Sequence, residues 1–432
     1  MQRLRQQDLG FKGEITAMTA LIFALMLSIV GALLQSASLS LTKTQNRAVT
    51  MMALESCFAE YDTNLLEKYE LFGRQGNREV ILNRLRYYGA GNISHTVEQI
   101  EYLTDQGGAS FYRQAIRHMK SKLGLEMLLP EEEKVSDESV EEKERLVKRE
   151  LETLLSENEA ELPKQENPIE HVETLKSSGL LPLLVSNPET LSNRSISVSE
   201  LPSNRTLQKG NGPAYTEEDL SDRLFFTAYL KETFTNVTSG DESHPLLYEQ
   251  EYLLGGKESD QANLEAVCKK ILTVRTVINY TYLLSDSGRQ AEAEALALTI
   301  CSLLTVPEIT EVAKQAILLA WAYGESIVDV RVLLKGNKVP LTKDSATWQL
   351  QLSNLVTLGT AEEVVGEKPS DTGLSYDDYL KGLLLLEKKE TLCMRSLDLV
   401  ESNCQIRTDQ CITWVKVKSC KTDTFTTEYG YH

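Results

Sequence analysis

Glu325 and Asp329 are the two residues in this chain best spaced for chemistry. Four apart in "ILLAWAYGESIVDVRVLL", they fall on one helix face, and paired carboxylates can share acid and base work when burial raises one pKa. Arg331 follows closely. No nucleophile and no second carboxylate cluster supports them, so the pair reads more simply as a satisfied polar edge where the helix leaves an apolar core. The histidines, His95, His118, His171, His244 and His432, lie far apart and form no HExxH pair. "GGK" at Gly255 lacks the spacing of a phosphate loop, and "GAGNIS" at Gly89 is half a dinucleotide fingerprint, best read as a turn. In "YEQEYLL", Glu249 and Glu251 alternate with Tyr248 and Tyr252, the pattern of a half-exposed strand. The sequence thus singles out no catalytic residue, no metal site and no cofactor.

The seven cysteines lack CxxC or Cys/His spacing, so neither a zinc site nor a dense disulfide framework is indicated. Cys411 and Cys420 stand at the ends of an expected strand, about 30 Å apart, too far for a mutual bridge. Cys404 with Cys411 or Cys420 stays open as a pairing, beside the simpler reading of buried free thiols. A formal net charge of -18 with no basic block to offset it argues against nucleic-acid binding. Hydrophobic residues at 41% and charged residues at 25% suit a chain that folds mostly in water.

The elements that would position these residues begin with an apolar segment. Residues 1–14 form a leader carrying Arg3, Arg5 and Lys12 against Asp8; residues 15–38 form a span, and about twenty uncharged residues from Ile15 suffice to cross a hydrocarbon core of about 30 Å. The basic leader places the amino terminus in the cytoplasm and the bulk outside the cell membrane. "QSAS" at Gln35 resembles a signal-peptidase site, but the apolar run exceeds a usual signal core, and retention is the preferred reading. Residues 39–73 continue the helix to about Phe72, with Ala48, Met51, Phe58, Leu65, Tyr69 and Phe72 on one face. Small residues at Thr16, Ala20, Ala24, Ser28, Ala32, Ser36 and Ser40 allow close approach of a neighbouring membrane helix. Helix packing is therefore assigned to Ala20, Ala24, Ser28, Ala32, Met51, Phe58, Leu65 and Tyr69, with membrane lipid and further proteins, or a second copy, as partners.

Residues 74–129 read as a helical part of the head, and 130–213 as an acidic, then Ser/Asn/Pro-rich, linker or insertion with a short helix marked by Val140, Val147, Leu151 and Leu154. Residues 214–432 read as a helical head. Its expected parts are a helix capped by Thr216, a strand at Leu246 to Leu254, a helix capped by Ser259 or Asp260, another entered at Pro307 and ended at Gly336, and one from Tyr379 to Glu401. "CITWVKVKS" and "TFTTEYGYH" are expected to pair as a hairpin. The fold class is mainly α, of α+β type.

Five blocks, "KGEIT" with the span, "ALESCFAEYDTNLLEKYELF", "LLYEQEYLLGGKESDQANL", "ILLAWAYGESIVDVRVLLKGNKVPL" and "YDDYLKGLLLLEKKETLCMRSLDLVESN", resemble an uncharacterised Gram-positive family of membrane-anchored proteins similar to TadE/TadG-like pseudopilins of tight-adherence (Tad) pilus systems. The resemblance implies a non-enzymatic structural component of a pilus or secretion assembly; a membrane-anchored ligand-binding module and an anchored enzyme using Glu325 and Asp329 are the alternatives. It also draws notice to Glu14. Cleavage after Gly10 or Gly13 would leave Glu14 fourth or first, where prepilin leaders place glutamate fifth, so Glu14 reads as a membrane-edge charge favoured by the helix dipole.

Overall fold

The computed structural model describes residues 2–123, 179–185, 187–215, 220–239, 244–303, 310–360, 370–421 and 423–431, apart from the side chains of the first fourteen residues, Leu220 and Leu303. Helix α1 (Gln2–Phe58) is 57 residues long, about 85 Å at 1.5 Å per residue. From Ile15 to Leu41 every residue is exposed. The first buried ones are Asn46, Thr50, Ala53, Leu54, Cys57 and Phe58, spaced as one helix face. The helix stops at Phe58 rather than Phe72. Asp62 ends it by capping α2 (Thr63–Tyr69), its Oδ1 accepting from the Leu65 amide at 3.1 Å, and Glu70 closes α2 in the left-handed region with φ 53°. No proline or glycine marks that break.

The buried face of α1 packs with α3 (Arg78–Leu85) against a small sheet. β1 (Arg74–Gln75), β2 (Ser94–Tyr102) and β4 (Thr424–Gly430) all pair antiparallel with β3 (Cys411–Cys420). Ala53, Leu54, Cys57 and Phe58 meet Ile81, Leu85, Val97, Ile100, Ile412, Val415 and Val417 in one apolar cluster. The expected C-terminal hairpin is therefore present. β2 falls inside 74–129, a stretch read as helical, because its mate lies more than three hundred residues away: Ser94 pairs with Cys420.

A larger core is built by α4 (Asp105–Lys122), α5 (Leu220–Thr233), α6 (Glu249–Gly255), α7 (Asp260–Ser285), α8 (Ser287–Leu303), α9 (Thr310–Leu334), α10 (Tyr376–Leu386) and α11 (Lys389–Cys404). The protein is thus mainly α with a four-stranded antiparallel sheet. Ser259 caps α7 through the Ala262 amide, and Gly336, at φ +80°, follows α9, both as the sequence indicates. Where a strand was expected at Leu246 to Leu254 the chain forms α6. Its residues Glu249 to Leu254 are all buried, so no polar face betrays the helical period, and Gly256 closes it at φ 62°. The expected helix from Tyr379 to Glu401 is two helices, α10 and α11, parted at Glu387 and Lys388 and opened by a Ser375/Asp378 capping box. Thr216 and Pro307 lie outside the described residues, as do Val140, Val147, Leu151 and Leu154.

The later part of the expected linker 130–213 is a packed strap. Leu180, Leu181, Leu183, Leu184 and Leu201 join the buried set. Arg205 clamps Glu401 at 2.6 Å and Asp409 at 2.7 Å. Asn211 then lines the outer edge of β2, exchanging hydrogen bonds with the Ile100 backbone.

Candidate functional site

The sequence-selected residues fall on α1 and its neighbours and on a buried quartet of charge, and the structure adds a second buried charge cluster. α1 contains a helix segment long and apolar enough to cross a membrane, with a mean hydropathy of 2.5 over its most apolar window. Ala20, Ala24, Ser28 and Ala32 lie within the exposed stretch. Its hydroxyls are partly self-satisfied, which suits an environment without water: Thr19 donates to the Ile15 carbonyl at 3.0 Å and Thr42 to that of Ser38 at 2.9 Å. Glu14 lies in α1, but its side chain is outside the described residues.

The other packing residues serve the chain itself. Phe58, 1% exposed, packs between Tyr429 and Tyr431 with ring centroids at 5.2 and 5.1 Å, and Tyr431 donates to its carbonyl. Leu65 and Tyr69 are buried in the main core. These three were expected to meet a neighbour from one helix face and are corrected to internal residues, since the break after Phe58 sends Phe58 into the sheet core and Leu65 and Tyr69, on α2, into the main core. Met51 is half-buried and lines an open groove with Thr44, Arg47, Ala48, Thr426 and Thr427.

Glu325 and Asp329 do share a face of α9, and that face points inward. Both side chains are 0% exposed, as are Arg275 and Lys343. Lys343 Nζ stands 2.7 Å from Glu325 and 2.6 Å from Asp329, while Arg275 Nη2 lies 2.8 Å from Asp329. Asn279 donates to Asp329 at 2.9 Å, and the Leu350 amide donates to Glu325 at 2.7 Å. Two cations and two anions leave the quartet neutral. Burial would raise Asp329, but Arg275 and Lys343 outweigh it and hold the carboxyl below its usual range. The polar-edge reading is thus corrected to a sealed core network, closed to a substrate. Arg331 belongs to neither carboxylate; its Nε donates to the Leu183 carbonyl at 2.6 Å.

A second cluster lies in "YEQEYLLGGKESD", where the half-exposed strand expected around Glu249 and Glu251 is corrected to a helix buried from Glu249 to Leu254. Glu249, Glu251 and Asp260, with Asp398 of α11, are all 0% exposed. Among the described residues none pairs with Lys or Arg. Glu249 accepts from the Thr235 amide and faces His244 Nδ1 at 2.8 Å. Glu251 accepts from the Val237 amide at 3.1 Å and Tyr376 at 2.8 Å. Asp260 holds the Leu247 and Tyr248 amides and the Ser192 hydroxyl. Asp398 holds the Ser203 amide and Tyr252. Each carboxylate therefore pins a loop. Burial pushes Glu251 up to about 7 against the pull of Val237 and Tyr376, and Asp398 up to about 6 against Ser203 and Tyr252.

All seven cysteines are free thiols, six of them buried, so the pairings left open for Cys404 are not formed. Among the described residues no group of three or more His, Cys, Asp or Glu is placed to hold a metal ion.

Both charge clusters, set on α6, α7, α9 and α11, fall in a stretch that matches a known family model. Residues 158–423 match a family of unknown function, DUF5702. The chain belongs to that family. Neither a curated protein nor a solved structure matches it. The DUF5702 match takes in the strap, helices α5 to α11 of the main core and β3, and it starts well after α1 and after α4.

Proposed function

We propose that this protein works by assembly in a membrane rather than by catalysis, as a pseudopilin-like or structural component of a Tad-type pilus or secretion apparatus. The amino terminus is cytoplasmic and the head is presented outside. The observation that carries the reading is α1: every residue of its apolar half from Ile15 to Leu41 is exposed, and the same unbroken helix then runs into the head's sheet core. A rigid helix of this kind holds the head at a fixed angle to whatever its other end packs against. Ala20, Ala24, Ser28 and Ala32 would allow close approach of a neighbouring helix, with lipid covering the remaining faces.

The test is disulfide cross-linking in native membranes, with single cysteines at positions 20, 24, 28 and 32 in a Cys420→Ser background. An assembly component gives disulfide-linked dimers, with itself or with a neighbouring protein, whose yield depends on which helix face carries the thiol. Monomer at every position, together with extraction of the protein by alkaline carbonate, would overturn the reading.

A further inference from the structure

We propose that the base of the head is a contact surface for anionic phospholipid headgroups, an inference that rests on the membrane-span reading above. Between Glu14 and Lys43 the sequence has 28 uncharged residues, Ile15 to Thr42, about 42 Å of helix, which matches the roughly 40–45 Å of a bilayer including its headgroup layers. The head starts at once beyond that point, since Asn46 is already buried. No spacer separates the two, and the end of the head from which α1 emerges must lie against the membrane surface.

That end is basic in a protein of formal net charge -18. Lys43 pairs with Asp423 at 2.9 Å, which puts the β3–β4 turn beside the emerging helix. Arg47 stands over the Phe425 ring one turn further on. Lys421 belongs to the same turn and is exposed. Arg86 is brought there by β2: it opens the short helical turn Arg86–Ala90, and His95 ties that turn to β3, its Nε2 meeting the Ala90 carbonyl at 3.0 Å and its Nδ1 the Ser419 hydroxyl at 2.8 Å beside the β3–β4 turn. Asp423 is neutralised by Lys43, whereas Arg47, Arg86 and Lys421 have no ion-pair partner among the described residues. Tyr87, next to Arg86, is 74% exposed, and tyrosine favours the headgroup level, where its ring and hydroxyl meet different surroundings. Unpaired cations within a Debye length of an anionic surface are attracted to it.

The experiment uses the full chain in phosphatidylcholine vesicles with and without phosphatidylglycerol. Cys420, the one exposed cysteine, is labelled with a fluorophore and quenched by headgroup spin-labelled lipid. Quenching is expected to be about threefold or more stronger with the anionic lipid, and to fall to the zwitterionic level in high salt or in the Arg47→Glu/Arg86→Glu/Lys421→Glu variant. These sites are solvent-exposed, and unchanged circular dichroism verifies the variant's fold. A Leu27→Cys/Cys420→Ser protein, quenched by acyl-chain spin label, reports the span independently. Quenching at residue 27 with equal quenching at Cys420 in both lipids, or with no effect of charge reversal, overturns the headgroup surface alone. No quenching at residue 27 overturns the span and this inference with it.

Discussion

The quartet on α7 and α9 and the carboxylates around α6 bury charge at equal depth by opposite means. In the first, Arg275 and Lys343 neutralise Asp329 and Glu325, and the attraction joins two helices to the 335–350 segment. In the second no lysine or arginine among the described residues takes part, and Glu251, Asp260 and Asp398 are held by amides of the loops they anchor and by neighbouring hydroxyls. Counter-charge makes a network intolerant of losing one member, whereas burial without a counter-charge leaves Glu251 and Asp398 favouring the protonated form, against the pull of the groups that donate to them. The first should therefore answer to truncation and the second to pH.

Lys343→Ala gives the largest effect. It strands Glu325 in the core and leaves Asp329 to Arg275 alone, and denaturant unfolding of the head should show a loss of about 3–5 kcal/mol. A loss under about 1 kcal/mol would mean the quartet is not sealed.

The pH response comes next. Glu251 and Asp398 are raised in the folded protein, to about 7 and about 6, so the stability they contribute is complete below their unfolded values near 4 and is lost as pH rises through 6 and 7. Thermal unfolding should show a head less stable at pH 8 than at pH 5 by the order of 3 kcal/mol. Glu251→Gln should remove most of the part between pH 6 and 8, while changing stability at pH 5 by less than about 1 kcal/mol. A flat profile in the parent protein would erase the contrast between the clusters.

Asp260→Asn is the smallest perturbation. The amide keeps one acceptor for the three donors now served, so a loss of about 1–2 kcal/mol is expected. Protease should cut sooner near Ser192 and Leu247 than elsewhere in the head. Uniform destabilisation without local cutting would show that Asp260 does not pin those loops.

What could be read beforehand was local. The apolar half of α1, the Ser259 cap, the Gly336 stop and the β3–β4 hairpin each announce themselves within a few residues. The placement of Glu325 and Asp329 on one helix face was equally plain, but their partners were not. Arg331, the nearest cation in sequence, points to Leu183, while the cations that matter stand at 275 and 343. β2 was missed for the same reason, its mate being at the far end of the chain. α6 failed differently: a helix buried on every side has no amphipathic stripe, and "YEQEYLL" alternates well enough to imitate a strand.

The C-terminal hairpin covers the helix with which the chain begins: Tyr429 and Tyr431 enclose Phe58, and β3 joins β1 and β2 into one sheet. A ribosome makes α1 more than three hundred residues before the hairpin, so over that interval the inner face of the helix stays bare. Folding of the base can finish only once Tyr429 and Tyr431 have been made, and until then the nascent chain carries a sticky flank open to a chaperone or a neighbouring chain.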